Sequence, residues 1–151
     1  MHSDVLTLIL DKLAPTTINW VLTGSAGLLL QGVPVSVHDI DLQCDAQGAY
    51  FIENILTAYV IEPVAFRPSA QIRSHFGRLK IAGITVEIMG DMQKLLPDGT
   101  WEDPLNLASL RFWLNWQGRN VPVLPLEIEA QAYRLMGRIE KAKLIEQTLH
   151  G

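Results

Sequence analysis

The sequence predicts an α/β protein, a central mixed β-sheet flanked by helices and ending in a helical C-terminus. Two observations predict it. Short apolar or alternating runs suited to strands are interleaved with segments whose apolar residues recur every three or four positions, and the final segment keeps that helical spacing to the end. At 151 residues and 48% apolar, the chain can bury a core as one domain, 1–151, and no repeat, linker or low-complexity tract divides it. The order and direction of the strands are not readable at this stage.

Val5, Leu8, Ile9 and Leu13 recur at helical spacing behind Ser3-Asp4, a candidate cap, and Pro15 ends the pattern. Ile18 to Thr23 is a compact apolar run stopped by Gly24-Ser25, and Ala26 to Gln31 reads as helix up to Gly32 and Pro34. Val37 to Gln43 alternates with the two-residue period of a strand, so Asp39 and Asp41 share one face. Tyr50 to Tyr59 predicts a helix with Phe51, Ile55 and Ala58 on its apolar face. From Ile61 to Met89 the composition is β-like, with Arg73–Ile81 and Ile84–Met89 joined as a hairpin by Ala82-Gly83. Leu95 to Asn106 reads as an irregular loop, and Leu110–Trp116 and Val121–Leu124 can pair around Gly118. Ile128, Ala132, Leu135, Ile139, Ala142, Ile145 and Leu149 form a helical stripe that Gly137 bends or splits.

Composition excludes several classes. The formal charge is −4 and the basic residues are scattered, so a long nucleic acid is not the expected partner. A single cysteine, Cys44, excludes an internal disulfide and a cysteine zinc cluster and fits a reducing cytoplasm. Met1-His2-Ser3-Asp4 has no basic leader and Leu28-Leu29-Leu30 falls far short of a membrane span, so a soluble cytoplasmic protein with no membrane partner is expected.

Three carboxylates stand where core strands favour apolar residues: Asp39 and Asp41 on one strand, and Glu87 between Val86 and Ile88 on another. Converging acids raise one another's pKa unless a cation sits between them. Mg²⁺ suits such a place, because it takes hard oxygen ligands and is commonly held by one or two carboxylates plus substrate phosphates. Two ions, with Mn²⁺ as an alternative, can assist an in-line displacement at phosphorus. Gly24-Ser25, after a strand and opening a helix, can present backbone N–H groups and a hydroxyl to a phosphate.

Thr23-Gly24-Ser25, thirteen residues, Asp39-Ile40-Asp41-Leu42, and later Val86-Glu87-Ile88 together resemble the signature of the polymerase-β-type nucleotidyltransferase superfamily. The small size and the hairpin ending in Val86-Glu87-Ile88-Met89-Gly90-Asp91 are similar to its minimal and its aminoglycoside- or lincosamide-nucleotidyltransferase-like branches. The resemblance implies the nucleotidyltransferase fold and Mg²⁺-dependent transfer of a nucleoside monophosphate from a nucleoside triphosphate such as ATP. It makes Asp39, Asp41 and Glu87 the catalytic and metal-binding residues, with Gly24 and Ser25 on the triphosphate. Glu87 departs from the Asp commoner in the family, so its longer arm reaches differently. The acceptor hydroxyl is left open between a small molecule, such as an aminoglycoside-like antibiotic, and a protein, as in antitoxins of this fold.

Bland readings stand beside each of these. Gly24-Ser25 can be an ordinary turn with Ser25 as N-cap, and the acids can line an exposed strand face. Arg78 and Lys80 can point together at a triphosphate or occupy a solvated face, while Arg138 and Lys141, three apart, can close over phosphates or be surface charges; Arg78, Lys80 and Lys141 are taken as nucleotide-binding candidates. His38 and His75 lack partners at ligand spacing, and Trp101, Trp113 and Trp116 are a candidate base-stacking wall or simply core. The alternative function is a catalytically weak nucleotide-binding module acting through a protein partner; modification of nucleic-acid ends is a third.

Overall fold

The computed structural model describes residues 1–151. Its seven strands are β1 (Trp20–Thr23), β2 (Ile40–Cys44), β3 (Val60–Pro68), β4 (Ile72–Ile81), β5 (Ile84–Lys94), β6 (Phe112–Trp116) and β7 (Arg119–Val123). They form one mixed sheet in the order β3-β4-β5-β2-β1-β7-β6. The β2–β5 and β1–β7 pairs are parallel and the others antiparallel. Six helices flank it: α1 (Ser3–Leu13), α2 (Gly24–Leu30), α3 (Ala46–Ile55), the single turn α4 (Leu107–Leu110), α5 (Leu126–Leu135) and α6 (Ile139–His150). The predicted class, a mixed sheet flanked by helices with a helical C-terminus, is the one observed. No helix is long and apolar enough to cross a membrane.

Strand alternation divides the sheet's side chains between two faces. Leu22, Ile40, Leu42, Val86, Ile88 and Leu79 turn to one face, where α1 contributes Leu6, Ile9 and Leu13 and α3 contributes Ala49 and Ile52 to the main core cluster. A second cluster joins Leu28 of α2 and Val33 to Leu126, Ala130 and Tyr133 of α5 and Ala142 and Ile145 of α6. The C-terminal helices therefore dock on α2, immediately after the glycine turn.

Several elements differ from expectation. Ser3 lies inside α1 and makes no side-chain cap. β2 begins at Ile40, leaving Val37 to Asp39 outside the strand. α3 begins at Ala46 because the Asp45 carboxylate accepts a hydrogen bond from the Gly48 N–H at 2.6 Å. That earlier start turns Gly48, Ala49 and Ile52 inward and leaves Phe51 and Ile55 exposed, reversing the expected face. Ala58 lies in a short 3₁₀ turn, Thr57–Tyr59, and is exposed. β3 carries Pro63 inside a strand, which an edge position with irregular register tolerates. Gly137, at φ 78°, splits the last helix into α5 and α6.

Leu42 is fully buried between strand neighbours on the helix-covered face. Truncation to Leu42→Ala is expected to lower stability by about 2–5 kcal/mol. Urea unfolding of the purified variant measures this, and a loss under 1 kcal/mol would contradict the assigned core face.

Candidate active site

One line of polar side chains crosses five strands at the same level. Thr23 on β1 pairs with Asp41 on β2, Asp41 with Glu87 on β5, Glu87 with Arg78 on β4, and Arg78 with Glu62 on β3. Directly paired residues on adjacent strands point to the same face, so all five stand opposite the apolar core face. Asp39 lies two residues before Asp41 in the exposed bend that enters β2. Asp39 therefore precedes the strand and does not share a strand face with Asp41, while the sheet order brings Asp41 and Glu87 onto neighbouring strands.

The turn after β1 closes over this line. Gly24 has φ 62°, and a Cβ there would lie 2.1 Å from Asp41 Oδ2, so both conformation and space require glycine. Ser25 is not the N-cap of α2; that position is Thr23, whose side chain makes no cap bond. The Thr23 hydroxyl instead donates to Glu129 Oε1 at 2.6 Å. Ser25 Oγ accepts from Lys141 Nζ at 3.1 Å. With only seven residues in α2, its dipole is a minor attraction for an anion, and the ammonium of Lys141 is the stronger one.

The electrostatics reflect crowded acids. Burial, then the charges of Glu87 and Asp39, pushes Asp41 up to about 6 against the opposing pull of Lys141 and Arg138. Burial raises Glu87 as well; Arg78 opposes the rise, while Asp39 and Glu62 add to it. Glu129 rises to about 7, chiefly through burial. Lys141 is lowered by burial and by Arg138, with Asp41 and Glu129 pulling it back.

No three His, Cys, Asp or Glu side chains converge closely enough to hold a metal ion by themselves. The donors are nonetheless hard carboxylate oxygens in an excess negative field, the chemistry that suits Mg²⁺ completed by phosphate oxygens.

Other candidates scatter. Arg78 Nη1 is 2.5 Å from Glu62, and Lys80, one strand step from the acid line, is exposed with no partner among the site groups. Arg73 stacks on Trp101, while Trp113 and Trp116 lie on the edge strand β6, so the three tryptophans form no common wall. His75 pairs with the Tyr50 hydroxyl at 2.9 Å and His38 offers its carbonyl to His2. Burial raises the Cys44 thiol, leaving it inert. A cavity of about 550 Å³ lies at the opposite end of β1 beside Leu10, Trp20 and Arg111.

Sequence reasoning missed Glu129 and Tyr133. A single stripe drawn through Gly137 put Ile128, Ala132 and Leu135 inward, whereas α5 buries Leu126, Glu129, Ala130 and Tyr133. Ending the helix at Gly137 and reading Leu126, Ala130 and Tyr133 as its own apolar face would have found them.

The model of the aminoglycoside-2''-adenylyltransferase family matches residues 5–148. TM1012 of Thermotoga maritima, assigned to the nucleotidyltransferases, is 50% identical over 99% of this chain and 92% of its own, with a TM-score of 0.87. The lincosamide antibiotic adenylyltransferase LnuA, solved with lincomycin, shares 18% identity over 94% of this chain and 96% of that one (TM-score 0.58). ANT(2'')-Ia, solved with adenylyl-2''-tobramycin, shares 14% over 97% and 88% (TM-score 0.65). At those identities the last two likenesses are of fold. No curated protein matches the sequence. With its model spanning nearly the whole chain and a half-identical relative superposing along the same length, the family is established: this protein belongs to the aminoglycoside-2''-adenylyltransferase family, within the nucleotidyltransferases.

Proposed function

We propose that this protein transfers a nucleoside monophosphate, with ATP the first donor to test, from a triphosphate to a hydroxyl of a small-molecule acceptor. The observation that carries this reading is the direct pairing of Asp41 with Glu87 beneath the Gly24 turn, with Ser25 and Lys141 joined alongside. The small-molecule acceptor rests on the relatives, one solved with lincomycin and another with adenylyl-2''-tobramycin.

In the reaction, the acceptor oxygen forms a bond to the α-phosphorus while the bond from that phosphorus to the bridging oxygen breaks, and pyrophosphate leaves with the electron pair. Asp39 and Asp41, with Glu87 beside them, would hold divalent metal, Mg²⁺ or Mn²⁺ and two ions in the fullest case, which neutralises phosphate charge and polarises the α-phosphate. Glu87, raised by burial, accepts the acceptor's proton. Gly24 lets phosphate oxygens approach the turn, and Ser25 Oγ and Lys141 Nζ bind them. Arg78, engaged by Glu62, acts on Glu87 through its charge from the neighbouring strand and is a weaker candidate for phosphate contact, as is Lys80, two residues further along β4.

Calorimetric titration of ATP, GTP, CTP and UTP, with and without Mg²⁺, tests the reading directly. Metal-dependent binding is expected in wild type and its loss in Asp39→Asn/Asp41→Asn; a wild type that binds no triphosphate under any metal condition refutes it. Asp41→Asn alone is expected to reduce transfer at least about 100-fold with the fold retained, because the lost metal charge acts most strongly in the transition state. Circular dichroism alongside the rate assay separates that from unfolding.

Lys141→Ala is expected to raise KM for the nucleotide about 10–100-fold, the worth of a charge-assisted hydrogen bond of about 1.5–3 kcal/mol. Unchanged KM in steady-state kinetics would remove Lys141 from the phosphate site.

The pH dependence has a definite sign. Asp41 and Glu129 titrate at about 6 and 7 in the folded chain against ordinary values of 3.8 and 4.5. The folded state therefore binds more protons than the unfolded chain in this window, and their contribution to stability falls as pH rises through it. The melting temperature of the free protein should fall more between pH 5 and 7.5 in wild type than in Asp41→Asn. The gain from Mg²⁺ with ATP should grow over the same range, because metal binds the deprotonated carboxylates. Parallel melting curves for the two proteins would contradict the assignment.

A further inference from the structure

We propose that Glu129 is a positioning residue: by accepting the Thr23 hydroxyl it ties the C-terminal helical hairpin to the Gly24-Ser25 turn and so fixes Lys141 over the phosphate site. The inference rests on the reading of Ser25 and Lys141 as phosphate ligands given above.

Glu129 is 5% exposed, on a helix whose other buried residues are Leu126, Ala130 and Tyr133. Packing alone would be met by an apolar side chain, and a buried carboxyl is unfavourable unless its oxygens are engaged. Its partner is Thr23 at 2.6 Å, 106 residues earlier in the chain. Thr23 is the residue before Gly24 and the direct partner of Asp41 across β1 and β2. The hydroxyl that could cap α2 is thus turned to α5.

A second tie runs parallel to the first, from Lys141 Nζ on α6 to Ser25 Oγ. Tyr133 lies one turn beyond Glu129 on the same face of α5, and its ring sits under Lys141 Nζ at 5.3 Å and under the Arg138 guanidinium at 5.1 Å. One face of α5 therefore carries both the anchor to Thr23 and the ring that guides the two cations. Apart from these polar contacts, the hairpin is held to α2 by a cluster of seven buried residues. Without the Thr23 bond only that apolar cluster holds α5 and α6 on α2, and the hairpin can slide on it and carry Lys141 away from Ser25. Lys94 also lies near Glu129, but its ammonium is bound to Glu102 at 2.7 Å and offers no substitute anchor.

The test compares wild type with Glu129→Gln, Glu129→Ala, Thr23→Val and the Glu129→Ala/Thr23→Val pair. It reads melting temperature, Mg²⁺·ATP affinity, KM and kcat, and hydrogen exchange of the α6 amides in the free protein. Glu129→Ala and Thr23→Val should each weaken Mg²⁺·ATP about 10-fold, raising KM more than they lower kcat, and should speed α6 exchange. Glu129→Gln keeps an acceptor for the hydroxyl and should stay within about 3-fold of wild type in affinity. The double variant should be no weaker than the worse single variant, because both remove one bond. Folded single variants that bind nucleotide as wild type does, or effects that multiply in the double variant, would overturn the proposal. A wild type that binds no triphosphate removes the phosphate role of Lys141, and with it the second half of this inference. The exchange measurement in free protein still decides whether Glu129 and Thr23 order the hairpin. Should Glu129→Ala not fold, Thr23→Val and Glu129→Gln give the comparison.

Discussion

Asp41 and Glu87 face each other on neighbouring strands of a parallel pair, and the repulsion between them governs the placement of the groups around them. Strands lie about 4.8 Å apart. Two full negative charges about 5 Å apart, at an effective dielectric constant of about 20, repel by about 3 kcal/mol, enough alone to lift an ordinary carboxyl by about two pH units. Asp41 does rise by that order, from 3.8 to about 6, yet burial is the larger cause and Glu87 the second. The pair is therefore partly relieved. Arg78 pulls on Glu87 from the next strand, and Lys141 and Arg138 pull on Asp41 from the C-terminal helix.

That relief is incomplete. Arg78 is itself held by Glu62, so Asp39, Asp41 and Glu87 are left with Lys141 and Arg138 as cations not otherwise paired with a carboxylate. Adding the several negative charges of a triphosphate to such a place is unfavourable unless divalent cations come with it. Nor do three acids converge into a cage that could keep an ion in the absence of phosphate. In the proposed reaction, metal and nucleotide therefore complete each other's site, and neither is expected to bind tightly alone.

The first half of the site was legible because local signals carry it. Gly24-Ser25 after an apolar run and Asp41 in an alternating run need only their own strands, although Asp39 falls just before β2, and Val86-Glu87-Ile88 was placed by the hairpin around Ala82-Gly83. The sheet order that puts β5 beside β2 was not legible, since it is set by long-range packing. Errors in the elements have equally local causes. Asp45 capped α3 earlier than its apolar residues suggested, and the edge strand β3 lay inside the β-like stretch from Ile61 without being delimited there. Glu129 escaped notice because one helical period was carried across Gly137, where the chain restarts its phase.

The division of labour between the two ends of the chain has a physical reason. A strand can present acids at fixed spacing on an open face, but it cannot also bring cations over that face, because its neighbours' side chains lie level with its own. Cations above the acid line must come from an element that crosses over the strand ends, and α6 does this by packing with α5 on α2, the helix that starts at the glycine turn. Lys141 therefore reaches Ser25 across 116 residues of sequence, and its reach depends on contacts made by residues with no chemistry of their own, such as Leu28, Ala142 and Ile145. Errors in that packing are felt at Lys141 and Ser25 before the acids, because Asp41 and Glu87 are held by a continuous ladder of strand pairing whereas Lys141 is held by two short helices and the bonds they make.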